Sequence, residues 1–140
     1  MNATVSLWDE FVDFAFQKKQ EHEWLFPEDI DKNTLDQMLA FHYHNKNLNL
    51  LRTKDGWAFV VFRPIKHAFD VNFNWEQPDS NLYLLDFLYS KCKYATLELW
   101  NMFCNRGVKP SSILYYRRGE PKPFTPKLVL KFFRSALIKE

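Results

Sequence analysis

The run Leu82-Tyr-Leu-Leu-Asp-Phe-Leu-Tyr89 limits what this chain can fold into more than any other feature. It is nearly continuous in apolar side chains, which is the pattern of a strand covered on both faces. A helix is expected next, from about Tyr94 to Asn105, with Leu97, Trp100 and Cys104 on one side and Gly107 as its stop. Ile113-Leu-Tyr-Tyr116 then reads as another strand. A strand, a crossover helix and a second strand in one sheet run parallel. The chain must therefore build a sheet whose central strand is hidden between helices.

The segments before it complete the sheet. Leu48-Asn-Leu-Leu51 and Trp57-Ala-Phe-Val-Val-Phe62 flank Thr53-Lys-Asp-Gly56. Asp-Gly between two apolar runs predicts a hairpin. Phe69-Asp-Val-Asn-Phe73 alternates and reads as a further strand, followed by a turn at Gln77-Pro-Asp-Ser80. Two helices precede the hairpin. The first runs from about Leu7 to Gln20, capped by Ser6, with Asp9 and Glu10 in its first turn and Trp8, Phe11, Val12 and Ala15 on one stripe. The second starts at Thr34, where Thr34-Leu-Asp-Gln37 matches a capping box, and Leu35, Met38, Leu39 and His42 share a face. A last helix is expected from Thr125-Pro126, with Lys127, Lys131 and Arg134 opposite an apolar side. The expected fold is a single α/β (α+β) domain, with a mixed, mostly antiparallel sheet flanked by helices.

Composition agrees. Fourteen Phe, six Tyr and five Trp in 140 residues are a load that a disordered chain does not carry. Each such ring removes roughly 150–250 Å² from water when buried. No apolar run approaches the roughly 18 residues of a membrane span, and the N-terminus lacks a basic, apolar leader, so a cytoplasmic protein without membrane contact is expected. Cys92 and Cys104 read as reduced packing residues. The net charge of +2 hides a split. Residues 1–90 hold 8 basic and 14 acidic side chains, a balance of −6; residues 91–140 hold 11 and 3, a balance of +8. The basic part suits an anionic partner, whether nucleotide, nucleic acid or acidic protein.

This order of elements resembles the GNAT acyltransferase superfamily, in which two helices precede an antiparallel meander and a central strand leads into the cofactor-binding helix. The hairpin Leu50-Leu-Arg-Thr-Lys-Asp-Gly-Trp-Ala-Phe-Val-Val-Phe62 is similar to that of the RTX-toxin lysine acyltransferases and of small GNAT-like bacteriophage proteins. The likeness spans roughly residues 34–120 and is one of order and pattern. It implies an acyltransferase using acyl-CoA or an acyl carrier protein, or a phage-type protein that keeps the fold without the reaction and binds a nucleic acid or a protein. GNAT enzymes usually place Arg/Gln-x-x-Gly-x-Gly/Ala after the central strand. Here the place reads Ser90-Lys-Cys-Lys-Tyr-Ala-Thr96, with no glycine. Lys91 and Lys93, with Thr96, stand where bare amides would hold the donor's pyrophosphate.

The resemblance puts Asp86 in the strand that carries the general base, and Tyr116 near the tyrosine that protonates the leaving thiolate. Read from the residues alone, Asp86 is either such a base or the partner of a nearby arginine or backbone donor. Tyr115 and Tyr116 serve equally as core. Cys92, between two lysines near a helix start, has the surroundings of a nucleophile but no partnered histidine. His42 and His44 do not share a helix face, His22 and His67 are isolated, and no spacing completes a metal site. Arg117, Arg118, Lys122, Lys127, Lys131 and Arg134, interleaved with Tyr115, Tyr116, Phe124 and Phe132, form the densest basic cluster. Basic groups among aromatic rings suit single-stranded nucleic acid or an acidic protein.

Overall fold

The computed structural model describes residues 6–22, 25–26, 30–67, 75–91, 93–105, 113–117 and 120–123. The expected strand over Phe69–Phe73 and the expected final helix from Thr125 lie outside the described residues.

Ser6 caps α1 (Leu7–Glu21) by accepting the Asp9 N–H. Phe11, Val12 and Ala15 form its buried stripe. The second helix, α2 (Lys32–His44), begins two residues before the expected Thr34. Its cap is Asp31, whose carboxylate accepts the Thr34 N–H at 2.7 Å and is thereby held below the usual carboxylate range. An ionised acceptor binds an orphan amide more strongly than a hydroxyl does, so Asp31 takes the cap and Thr34 becomes its N3 residue. Leu35, Met38, Leu39 and His42 are buried as one face. Trp8 ties the two helices, donating its indole N–H to Asp36 at 2.8 Å.

The sheet has five described strands in the order β1 (Leu48–Thr53), β2 (Gly56–Pro64), β3 (Tyr83–Tyr89), β4 (Ile113–Arg117) and β5 (Glu120–Pro123). All neighbours are antiparallel except β3 and β4, which are parallel. The fold is thus α+β with a mixed sheet, and α3 (Lys93–Cys104) makes the crossover. β5 was not foreseen. Its Pro121 and Pro123 argue against a strand interior, but an edge strand tolerates residues that lack an N–H.

Side chains alternate across the sheet. Trp57, Phe59 and Val61 of β2 join the core beneath α1 and α2. Ala58, Val60 and Phe62 join the core beneath α3. α3 buries Ala95, Leu99, Trp100 and Phe103, so Trp100 lies on the expected face while the expected Leu97 is only half-buried and Phe103 takes the central place. The cause is the ring of Phe103, which stacks on Phe62 at 4.1 Å between centroids and outweighs the smaller apolar side chains in buried area.

The hairpin turns at Lys54-Asp55, with Thr53 opposite Gly56. Gly56 has φ +131° and lies against the Phe14 ring. A methyl group there meets both the ring and a backbone conformation closed to L residues. Gly56→Ala is expected to cost about 1–3 kcal/mol, read as a lower urea midpoint at unchanged slope.

Candidate functional site

The site begins with a register error in β3. Val61 pairs with Phe87, but Phe62 pairs with Leu85. Asp86 is the extra residue of a β-bulge, facing no partner on β2. The bulge changes the alternation. Leu85 packs with the α3-side core and Phe87 with the α1/α2-side core, and Asp86 turns to the same side as Phe87. Without the extra residue one of those two rows would be inverted.

That turn brings Asp86 to Arg63, whose guanidinium is only 3 % exposed, a burial that arginine rarely has without a partner. Arg63 Nε donates to Asp86 Oδ2 at 2.9 Å. Burial pushes the Asp86 carboxyl above the usual range, and the ion pair with Arg63 offsets part of that push. His42 lies on the same side, fully buried, and the Arg63 charge acts on it. Burial first, and that charge second, lower the His42 pKa to about 4. The imidazole is therefore neutral at pH 7. Its Nδ1 is 3.1 Å from Asn47 Nδ2, which fits an acceptor nitrogen with the proton on Nε2. Asn47 and Gln77 exchange two amide hydrogen bonds, at 2.9 and 3.0 Å. The five side chains thus link α2, the α2–β1 connection, β2, β3 and the segment before β3.

Beyond the bulge the sheet opens. The parallel ladder joins Tyr83 to Ile113 and Leu84 to Leu114 and stops there. β3 continues to Tyr89 and β4 to Arg117. The β4-facing backbone groups of Asp86–Tyr89 therefore lie past the last paired rung, at the carboxyl ends of two parallel strands, the usual position of ligands in α/β sheets. α3 starts four residues after β3 ends, with Lys91 exposed between them. Tyr94, in the first turn of α3, is 58 % exposed.

No protein family, curated protein or solved structure matches the chain.

Of the residues singled out from the sequence, Asp86 is the bulge residue of β3, turned to Arg63, and Lys91 is exposed between β3 and α3. Lys93 is the first residue of α3 and Thr96 stands one turn in; Tyr116 and Arg117 are on β4. Lys122 is exposed on β5, where it pairs with Tyr115. Cys92, Arg118, Phe124, Lys127, Lys131, Phe132 and Arg134 lie outside the described residues. His67 is exposed. Among the described residues, no group of three His, Cys, Asp or Glu side chains is placed to hold a metal ion, and no helix is long and apolar enough to cross a membrane. Arg63, Asn47 and Gln77 were missed. For Arg63 a signal existed: a charge ending the apolar run Trp57–Phe62, matched by another charge inside the run Leu82–Tyr89.

Proposed function

We propose that this protein is a GNAT-like acyltransferase that moves an acyl group from CoA or an acyl carrier to an amine. The observation that carries this reading is the break in the sheet at Asp86. A bulge and a two-rung parallel ladder leave strand backbone facing a gap inside the sheet. Such backbone needs partners, and an extended, amide-bearing arm can supply them as an added strand does. The thioester arm of an acyl donor is such a chain. Lys91, with Lys93 and Thr96 at the start of α3, meets the donor's phosphates. This replaces a glycine cradle with charged side chains, and the basic C-terminal part of the chain suits an acidic carrier protein equally well.

In this reading the amine nitrogen attacks the thioester carbon. The new C–N bond forms, the C–S bond breaks, Asp86 takes the amine proton, and Tyr116 gives a proton to the leaving thiolate. The carboxyl is suited to that work by burial, which raises its basicity although Arg63 offsets part of the rise.

The test is thermal unfolding with acetyl-CoA, with a long-chain acyl-CoA and with acylated carrier protein. Saturating donor is expected to raise Tm by several degrees, as a ligand at about 100 times its Kd adds about 2.7 kcal/mol. Asp86→Asn should keep the shift and lose amide formation. No shift with any of the three donors, together with salt-dependent retention of single-stranded DNA or RNA, would make the protein a non-enzymatic binder that works through Lys122 and the rest of the basic cluster.

A further inference from the structure

Among the described residues, His42, Asn47 and Arg63 are the polar or charged side chains that this fold buries. One of the three is met from outside by a segment that is itself exposed. Trp75, Glu76, Gln77 and Asp79 are exposed, and no side chain from Trp75 to Leu82 belongs to either apolar core. Gln77 nevertheless reaches Asn47, which is 2 % exposed, through two amide hydrogen bonds at 2.9 and 3.0 Å. Asn47 in turn meets His42 Nδ1 at 3.1 Å. The polar row therefore runs from Gln77 at the surface through Asn47 to His42.

The inner side of this seam is held by backbone. Lys46, in the left-handed region at φ 62°, turns the chain out of α2. The Asn47 N–H then reaches the His42 carbonyl at 2.8 Å, and the Asn47 carbonyl accepts the Phe62 N–H at 3.0 Å. Asn47 is thus tied to α2 and β2 whatever its side chain does. The outer side is clamped at its far end. Ser80 Oγ donates to the Ile65 carbonyl at 2.7 Å and accepts the Leu82 N–H at 3.0 Å, and the Ile65 N–H reaches the Leu82 carbonyl at 2.9 Å. Nearer its start the segment is held by contacts that water replaces at little cost. Glu76 and Lys66 form an ion pair 3.5 Å apart with both side chains largely exposed. The Trp75 ring meets Phe41 edge-on at 5.8 Å between centroids and stays half-exposed. The amide pair exchanges two internal hydrogen bonds for two to water, so its net worth is small. An apolar seam of the same area would cost more to part. Pro78 fixes its own φ and biases Gln77 to extended backbone, so the segment moves as a stiff piece.

We propose that Trp75–Asp79 is a strap that opens and closes over the polar row, with the Asn47–Gln77 amide pair as its latch. Opening brings Asn47 and His42 to solvent while the sheet and both cores stay intact. Segments that move to admit water or ligands are drawn from the least stable parts of a fold, and a seam made of amides beside a clamped end is such a part. The device does not depend on acyl transfer.

The experiment is modification of the whole protein by diethyl pyrocarbonate, with each histidine followed by peptide mass spectrometry. Wild type, Gln77→Ala and Gly56→Ala are compared. His44 and His67 are exposed and serve as references within the same chain. In wild type His42 is expected to react at least tenfold more slowly than either. Low urea should leave that rate unchanged, because a strap opening exposes little surface. Gln77→Ala should speed the reaction of His42 at least tenfold, still without dependence on low urea. Gly56→Ala weakens the whole fold at a remote turn, so it should lower the urea midpoint and keep the wild-type His42 rate. The proposal is overturned if wild-type His42 reacts as fast as His44, or if Gln77→Ala fails to speed it. It is overturned equally if the His42 rate follows global stability, rising with urea or rising in Gly56→Ala.

Discussion

Arg63→Met is expected to destabilise the protein by about 3–5 kcal/mol at pH 7, the usual cost of stripping one partner from a buried ion pair. The side chain that remains is the reason. Asp86 keeps 14 % of its side-chain surface, too little for water to replace the guanidinium. Arg63 supplies the only opposite charge that acts on Asp86 among the described residues. Removing both charges is the contrasting case. Arg63→Met/Asp86→Leu leaves no ion to desolvate, and it should recover most of the lost stability, since apolar replacement of a buried pair is often neutral or better. Urea unfolding of the four proteins of this cycle gives the coupling directly. A single variant within about 1 kcal/mol of wild type would mean that Asp86 finds water or another donor. The pH dependence has a definite sign. Loss of Arg63 raises the folded-state pKa of Asp86 further above its unfolded value, so the neutral carboxyl is favoured in the folded state. The penalty in Arg63→Met is therefore relieved as pH falls below that raised pKa, and is full above it.

The same pair shows where the sequence could be read and where it could not. The parallel crossover, the hairpin and both early helices follow from local patterns, because periodicity and caps act within a few residues. α2 started early since two capping signals, Asp31 and Thr34, competed within three residues, and the stronger acceptor won. The inner face of α3 depended on which ring met Phe62 across the sheet, a contact between residues 41 apart in sequence. Asp86 stood out as a charge in an apolar run, with an arginine as one of its possible partners. Its partner was not legible as Arg63, because that pairing joins residues 23 apart in sequence and depends on the register of β3 against β2. A bulge leaves no mark in a run that is apolar on both faces, since slipping by one residue exchanges one buried row for another. The early end of the pairing between β3 and β4 is hidden for the same reason. Lys46 is harder still, as a lysine in the left-handed region carries no sequence signature at all.

His42 carries the second large effect, and its sign is opposite to that of Asp86. The unfolded imidazole titrates near 6.5 and the folded one at about 4. The unfolded state thus binds the proton more readily across that window. The stability that neutral His42 contributes is complete above pH 6.5 and is lost as pH falls through 4. A shift of this size corresponds to about 3 kcal/mol between pH 7 and pH 4. Protonation is opposed on two counts: the ring is wholly buried, and the Arg63 guanidinium acts on it. It also turns Nδ1 from acceptor to donor, against the Asn47 amide nitrogen at 3.1 Å. Asn47 is itself tied to Gln77, so the charge must be met by reorienting two amides or by losing the link to the segment before β3. His42→Gln keeps an acceptor for Asn47 and cannot take the proton. Its stability should fall less than that of wild type on going from pH 7 to pH 4, by about 3 kcal/mol. Carboxylates titrate in both proteins, so the difference between the two curves isolates the imidazole. Parallel curves, or a His42 ring signal that titrates near 6.5 by NMR, would show that the ring is hydrated and that the cluster around Arg63 is open to water.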